Sequence, residues 1–329
     1  MRMTHKNLFA LALVVVFVLM LTSVGVGVSA APKQKIALIM NQPLGDPFAT
    51  LVYSGLERLK KERDVETKLI ESLDKSEYVE QVRAMARLGY NPVMVLWEDL
   101  AAAAIEVAPE FPNTKFIILD CYTTAKLPNV QTVVMEPQEA SFIAGFVAAK
   151  TTKTKHVGFV GGADIPVIEK FLAGFKAGVA HVDPGIKITA VYAGTFIDPA
   201  KGLEMGRMLF TSGADVVMHA ANKTGLGVLK AAAEAGKWGI GVDMWQGDVA
   251  PGHVLWSALK DAGNATYTMA KKALDGAFEP GMFVFGAKTG AALYDERDFK
   301  KLPPQLQSQV LDLEKRIRNG EIKVPSTVK

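Results

Sequence analysis

Short apolar runs alternate with longer amphipathic stretches from residue 35 onward. The runs at 35–40, 92–96 and 115–119 are apolar except for Lys35 and Lys115 at their first positions, and they are too short for helices, which is typical of strands in a parallel sheet covered on both faces. The stretches at 47–63 and 76–88 carry apolar residues every three or four positions and are predicted to be crossover helices. This alternation predicts βαβ units.

The same pattern restarts further along the chain and predicts a second sheet. A strand at 130–135 and a helix at 139–150 lead into this series, whose own strands are expected at 156–160, 187–192, 214–219 and 238–242 and whose helices are expected at 166–181, 199–212 and 224–235. The apolar run 254–259 and the helical stretch 264–275 follow after this series has closed, so we expect them to return to the first sheet. The predicted fold class is therefore α/β with two lobes, residues 33–135 plus 252–284 and residues 136–251 plus 285–329.

Residues 1–30 have the three parts of an export signal. Arg2 and Lys6 are basic, residues 8–21 have no polar side chain, and residues 28–30 are small, as at a cleavage site. An uncleaved anchor is the alternative, since residues 8–30 could just span a bilayer core of ~30 Å. The Gly-rich stretch before the cleavage site favours cleavage, and no Cys lies near it to accept a lipid. We therefore expect a mature protein free in the periplasm.

Composition limits the possible partners and chemistry. Removing Arg2 and Lys6 leaves 35 basic against 34 acidic residues in the mature chain, which argues against a strongly basic nucleic-acid-binding surface. About 300 mature residues exceed what one core usually serves, so two lobes are expected. The single Cys121 has no disulfide partner in the chain and is interpreted as a small core or pocket-edge residue.

Polar and aromatic residues follow the predicted strands, where open parallel sheets bind their ligands. The candidate ligand-binding residues at these ends and in the loop after the first strand are Asp46, Phe48, Trp97, Asp120, Phe196, Asn222, Asp243 and Trp245. This mixture of flat rings, carboxylates and amides is typical of a pocket for a polar small molecule. For any one of them, local capping of a loop is the alternative role.

Motifs for catalysis, metals or cofactors are missing from the sequence. The five His residues are scattered without HExxH or CxxC spacing, and neither a G-x-S-x-G elbow nor a GxxxxGK[ST] loop occurs. The TGLGV segment at 224–228 lacks the third glycine of a dinucleotide fingerprint. We expect no catalytic residue, no metal and no cofactor.

Eight segments in order resemble the basic membrane protein family of ABC-transporter receptors, whose best understood members bind purine nucleosides. These are GDPF at 45–48, ASFIAGFVAA at 140–149, VGFVGG at 157–162, FLAGFKAG at 171–178, AGTF at 193–196 with Asp198, GADVV at 213–217, IGVD at 240–243 and SALK at 257–260. The resemblance covers nearly the whole mature chain. It implies a type I periplasmic-binding fold with three hinge crossings and the ligand between two Rossmann-like lobes.

The resemblance also implies roles for individual residues. Phe48 and Phe196 look like the aromatic pair that sandwiches a base, and Asp120 looks like a polar contact to that base. Asp243 and Lys260 look like the pair that holds ribose hydroxyls; because their charges cancel, we expect a neutral, flat, hydroxylated ligand.

The sequence departs from the family at several of these positions. It has Pro47-Phe48-Ala49 where the family usually has Ser-Phe-Asn, so an amide that would contact a purine edge is missing. Trp97 and Trp245 are bulkier than usual, and Asn222 replaces a customary glycine.

Three classes of protein share some of these features. A transport receptor has an export signal, two lobes and no catalytic group, and is the favoured hypothesis. An exported nucleoside hydrolase remains the alternative, while a transcription regulator lacks support because residues 1–30 leave no DNA-binding module. We expect a monomer that binds a purine nucleoside, a free base or another small metabolite, and that delivers it to an ABC permease in the inner membrane.

Overall fold

The computed structural model describes residues 33–123 and 125–328, so the predicted export signal lies outside the described residues. The first series of elements is β1 (Gln34–Met40), α1 (Pro47–Glu62), β2 (Val65–Glu71), α2 (Tyr78–Arg87), β3 (Val93–Leu96), α3 (Trp97–Val107), β4 (Phe116–Leu119) and β5 (Val130–Met135). Short 3₁₀ turns precede α2 and follow α3, at Lys75–Glu77 and Ala108–Glu110.

The second series begins with a helix that is buried along most of its length. It comprises α4 (Pro137–Thr151), β6 (His156–Gly161), α5 (Pro166–Val182), β7 (Lys187–Tyr192), α6 (Pro199–Thr211), β8 (Val216–Ala220), α7 (Asn222–Ala235), β9 (Trp238–Asp243) and β10 (Val254–Leu259). The chain ends with α8 (Ala262–Leu274), β11 (Gly281–Phe285), a 3₁₀ turn at Ala287–Thr289, α9 (Glu296–Phe299) and α10 (Pro304–Arg318).

The strands form two parallel sheets, which confirms the predicted α/β fold class. Over the described residues, the first sheet has six strands in the order β11-β5-β4-β3-β1-β2, and the second has five in the order β10-β9-β8-β6-β7. Strands β1, β3 and β4 are almost wholly buried, as their uniformly apolar sequences predict.

Two sequence interpretations were wrong in detail. Strand β2 was not predicted; it is an edge strand, and its alternating charged residues mask the apolar pattern. Strand β10 was expected in the first sheet, but it pairs in parallel with β9 in the second, so only α8 and β11 return to the first. The two lobes and their boundaries otherwise stay a prediction.

Helix α1 begins at Pro47 because the preceding residue caps it. The Asp46 carboxylate accepts hydrogen bonds from the backbone N–H groups of Phe48 and Ala49, at 3.0 and 3.2 Å. Proline suits the first helical position, where an N–H group has no partner within the helix. This cap holds Phe48 in the first turn of α1.

None of the helices among the described residues is both long and apolar enough to cross a membrane.

Candidate ligand-binding site

A cavity of about 700 Å³ lies between the carboxyl ends of the two sheets. Eight of the nine residues predicted to bind ligand line it: Asp46, Phe48, Trp97, Asp120, Phe196, Asn222, Asp243 and Lys260. They come from both series of elements, as expected for strand ends in parallel sheets. The structure therefore brings these side chains together, whereas their contacts with a ligand stay a prediction.

Trp245 lies outside the cavity and is the exception among the predicted residues. Its indole Nε1–H donates to Asp298 Oδ1 at 3.1 Å, and the guanidinium of Arg297 lies 3.8 Å from the centroid of its ring. These contacts hold Trp245 against the segment around α9. Its position two residues beyond the strand end was not enough to place it at the cavity.

Sequence reasoning missed two aromatic residues of the cavity, Tyr122 and Phe171. Tyr122 follows Asp120 by two residues, and this proximity was a usable signal. Phe171 lies in the second turn of α5, and its buried ring gives no sequence sign that distinguishes it from core residues of the same helix. Burial and nearby carboxylates raise the pKa of the Tyr122 hydroxyl, which is therefore a neutral group at the cavity.

Four residues of the cavity adopt the left-handed backbone region that non-glycine residues rarely occupy. The φ angles are 65° for Trp97, 53° for Asp120, 46° for Asn222 and 67° for Asp243. Each residue stands at or just after the carboxyl end of a strand. Such backbone strain costs of order 1 to 3 kcal/mol per residue and is concentrated at functional sites. The concentration of four such residues at the cavity supports the cavity as the functional site.

The aromatic wall on the first sheet's side is built differently from the expectation. Phe48 and Trp97 stack on each other, with ring centroids 5.6 Å apart and an angle of 10° between planes, and Phe48 is only 5% exposed. Trp97 therefore occupies one face of the ring that was expected to stack on a ligand. The sandwich between Phe48 and Phe196 stays a prediction.

Phe196 is held on the second sheet's side by a close contact with a glycine. A Cβ atom at Gly162 would overlap the Phe196 ring, so the ring lies directly on the backbone beyond β6. Only glycine permits this approach, which explains the residue type at 162 in the strand-end loop.

Lys260 forms an ion pair with a different carboxylate from the one expected. Its Nζ lies 2.6 Å from Asp120 Oδ2, and both side chains are about 95% buried. The Trp97 Nε1–H donates to the same oxygen at 2.9 Å, and Lys260 Nζ lies 4.7 Å from the Phe48 ring centroid. Asp120, not Asp243, is therefore the ion-pair partner of Lys260, and the joint role of Asp243 and Lys260 in holding ribose hydroxyls stays a prediction.

Asp243 is consequently left without a side-chain hydrogen bond or ion pair among the described residues. Its carboxylate is partly exposed, and burial by its surroundings, with smaller effects from Asp120 and Asp46, raises its pKa to about 6. Lys260 opposes this rise without cancelling it. Asp243 therefore carries a charge that the protein compensates only in part.

A direct hydrogen bond links the two sides of the cavity. Asn222 Nδ2, at the start of α7, donates to Asp46 Oδ2 at 2.9 Å. Asp46 uses its other oxygen to cap α1, so one carboxylate connects the N-terminus of α1 to that of α7. Glycine, which is customary at this position in the family that the sequence resembles, has no side chain to make this bond.

Several polar side-chain atoms at the cavity are buried without a hydrogen-bond partner. They are Oδ1 of Asn41, Oδ1 of Asp120, the hydroxyl of Tyr122 and Oδ1 of Asn222. A buried polar atom left unpaired costs about 1 to 3 kcal/mol. Donor groups on a ligand that reached these atoms would remove that cost.

No cluster of three or more metal-ligating side chains occurs among the described residues.

His219, in β8, is fully buried, and burial lowers its pKa to about 4. Its Nε2 bonds Gln246 Oε1 at 2.9 Å, so Gln246, another strand-end residue, supports the β8–β9 edge from within the core.

Two parallel sheets with a polar and aromatic cavity between their carboxyl ends define an α/β small-molecule-binding protein. The chain belongs to the family of PnrA-like ABC transporter substrate-binding proteins, whose model matches residues 33–328. It is 30% identical over 298 residues to basic membrane protein A1 of Borrelia garinii, a match that covers 88% of each chain. The resemblance drawn from the sequence motifs is thereby confirmed.

Solved structures share the fold at lower sequence identity. A solute-binding protein of an ABC transporter system from Aeropyrum pernix K1 superposes with a TM-score of 0.75 at 24% identity, covering 89% of this chain and 94% of that one. A transcriptional activator of the comK gene from Bacillus halodurans superposes with a TM-score of 0.77 at 20% identity, covering 88% and 99%. The fold is thus shared by proteins of different function, and the site must carry the functional argument.

Proposed function

We propose that this protein is the periplasmic receptor of an ABC importer and binds a flat, hydroxylated heterocycle in the cavity. A purine nucleoside is the first candidate, and a free base or another aromatic metabolite is the second. The protein acts as a monomer without catalysing a reaction, and the closed, ligand-bound form is what the permease recognises. The observation that carries this proposal is the cavity itself, which joins aromatic rings and unpaired polar atoms from both sheets.

The size and lining of the cavity support a ligand of this kind. Small-molecule sites span ~300 to 1,000 Å³ and combine apolar walls with a few placed polar groups. Trp97 and Phe196 supply flat walls, and stacking a base on an aromatic ring contributes roughly 1 to 3 kcal/mol. Asp243 offers a free carboxylate to hydroxyl or amino donors.

The ion pair argues against the alternative of an exported nucleoside hydrolase. Such an enzyme needs a pair of carboxylates that are both free to act, one as the acid and one as the base. Asp120 is held by Lys260 and by the Trp97 indole, which leaves Asp243 as the single unpaired aspartate of the cavity's described lining. One free aspartate suits binding better than paired-carboxylate chemistry.

Native mass spectrometry of the protein secreted into a bacterial periplasm tests the proposal. We expect one bound small molecule per chain, with the mass of a nucleoside or related heterocycle, released on mild denaturation. The Asp243→Ala variant should carry less of it, whereas Asp248→Ala, an exposed position outside the cavity, should carry as much as the wild type. A retained open-chain sugar or amino acid would contradict the ligand class.

A further inference from the structure

The cavity lining carries an excess of negative charge. Its carboxylates are Asp46, Glu98, Asp99, Asp120 and Asp243, whereas Lys260 is the cation among the described lining residues. A lining with several carboxylates and one ammonium disfavours an anionic ligand and favours a cation, provided that the carboxylates are not already neutralised by the protein. Their individual partners therefore decide the charge that the ligand meets.

Two of these carboxylates are neutralised by lysines. Asp120 holds Lys260 at 2.6 Å, and Asp99 holds Lys75 at 2.8 Å in an exposed ion pair at the rim. Lys170, which lies 4.7 Å from the Tyr122 ring centroid, is itself 3.2 Å from Glu136. None of these ammonium groups forms an ion pair with Asp243, although Lys260 acts on it electrostatically and lowers its pKa.

Two further carboxylates accept hydrogen bonds from the protein. Asp46 caps α1, where the N–H groups and the positive end of the helix dipole stabilise a carboxylate, and it also accepts from Asn222. Glu98 is exposed to solvent and accepts the backbone N–H of Tyr122 at 3.3 Å. Asp243 alone, among these lining carboxylates, has neither an ion-pair partner nor a side-chain hydrogen-bond donor, and Lys260 offsets its charge only in part.

The unpaired oxygen atoms of the same cavity lining also accept hydrogen bonds from donors. Asn41 and Asn222 each leave a carbonyl oxygen without a donor, and so does Oδ1 of Asp120, whose side chain is about 95% buried. Aromatic rings complete the walls, and a cation within about 6 Å of such a ring gains additional attraction. Acceptors and ring faces together form a site for a positively charged group bearing N–H donors.

We infer that the ligand carries a cationic N–H group, which Asp243 binds, with the free oxygens of Asn41, Asn222 and Asp120 as further acceptors. This inference rests on the proposed function and changes one part of it: the flat heterocycle carries a positive charge, which an unmodified purine nucleoside does not. The reason is the pairing of Lys260 with Asp120, which leaves the charge of Asp243 for the ligand to compensate.

Calorimetric titration with a matched pair of probes tests the inference. 1-Methyladenosine is protonated and cationic at neutral pH, whereas 1-methylinosine has nearly the same shape, is neutral and lacks the exocyclic nitrogen. We expect at least 10-fold tighter binding of 1-methyladenosine. In Asp243→Asn, which keeps the size of the side chain and removes its charge, that preference should fall below about 2-fold. Asp248→Asn, an exposed position on the same loop, should keep it.

The outcomes separate this inference from the proposed function. Equal or tighter binding of 1-methylinosine, or a preference that survives in Asp243→Asn, overturns the inference and leaves the receptor for a flat heterocycle standing. Binding of the open-chain cation agmatine in an Asp243-dependent manner, with neither nucleoside bound, supports the inference and overturns the proposed ligand class. Binding of none of the three probes contradicts both.

Discussion

At the scale of single residues, the site is defined by which carboxylate each charged group meets. Lys260 and Asp120 form an ion pair that is almost fully removed from water, so each charge depends on the other for compensation. Asp243 has no such ion-pair partner, and burial raises its pKa to about 6 because Lys260 offsets that rise only in part. The ion pair thus bears on stability, whereas Asp243 is the aspartate that we propose to contact the ligand.

Breaking the buried ion pair should destabilise the protein strongly. Lys260→Met leaves the Asp120 carboxylate buried without a cation, and we expect the free energy of unfolding to fall by about 3 to 5 kcal/mol. The double variant Lys260→Met with Asp120→Asn should recover most of this loss, because no uncompensated charge remains. Urea unfolding measures both; a double variant as unstable as the single one would contradict the assignment.

The stability of Asp243 variants should depend on pH with a defined sign. The folded protein holds a proton on Asp243 up to about pH 6, against an ordinary value of 3.8, so its contribution to stability falls as the pH rises between these values. Asp243→Asn should stabilise the ligand-free protein by roughly 2 to 3 kcal/mol at pH 7.5 and by nothing below pH 3.8. A gain that is constant from pH 4 to 8 in urea unfolding would disprove this explanation.

The sequence predicted which residues line the cavity better than it predicted the contacts that these residues make with each other. Residues immediately after strands could be placed at one edge from the topology rule alone, and eight of nine line the cavity. The partner of Lys260 could not be predicted, since it depends on how the segment after β10 meets the end of β4. The stacking of Trp97 on Phe48 depends likewise on a left-handed backbone that no pattern announces.

At the scale of elements, helices pack so closely that glycine is required at their contacts. In α4 and α5, a Cβ atom at Gly145 would overlap the carbonyl oxygen of Phe175, and one at Gly178 would overlap that of Phe142. Both glycines belong to motifs that carried the family resemblance, so packing accounts for part of that signature. Strand β2 was not predicted because it lies at the edge of its sheet, where a strand needs no continuous apolar run.

Gly178→Ala tests this helix contact. The added methyl group must push against backbone rather than a movable side chain, so we expect a loss of about 1 to 3 kcal/mol in the free energy of unfolding. Ala180→Lys, an exposed position of the same helix, should change it by less than about 0.5 kcal/mol. Chemical denaturation of the two variants compares them, and an unaffected Gly178→Ala would show that the helices can separate.

At the scale of the whole molecule, the chain passes between the two sheets three times. It leaves the first sheet after β5, returns between β10 and α8, and leaves again after β11. Three parallel connections permit a hinge motion about the cavity, and the hydrogen bond from Asn222 to Asp46 spans the opening. We expect ligand binding to close the two halves and this bond to favour the closed form.

Removing the hydrogen bond should open the ligand-free protein. Asn222→Gly suits the left-handed backbone at this position and deletes only the side chain that reaches Asp46. Small-angle scattering should give a larger radius of gyration for this variant than for the wild type, and the same compact value for both at saturating ligand. Asn319→Gly, at the end of α10, serves as the control. Identical radii for all three ligand-free proteins would contradict a role for this bond.

The central claim, capture of a flat heterocycle by the cavity, is tested most directly by calorimetric titration of the wild type and Asp243→Ala. The panel comprises nucleosides, free bases, their cationic methylated derivatives, sugars and amino acids. We predict one-to-one binding of a nucleoside or base derivative by the wild type, weakened about 30- to 1,000-fold in Asp243→Ala, which corresponds to roughly 2 to 4 kcal/mol. Binding of an aliphatic ligand alone, with an affinity that Asp243→Ala leaves unchanged, would contradict the claim.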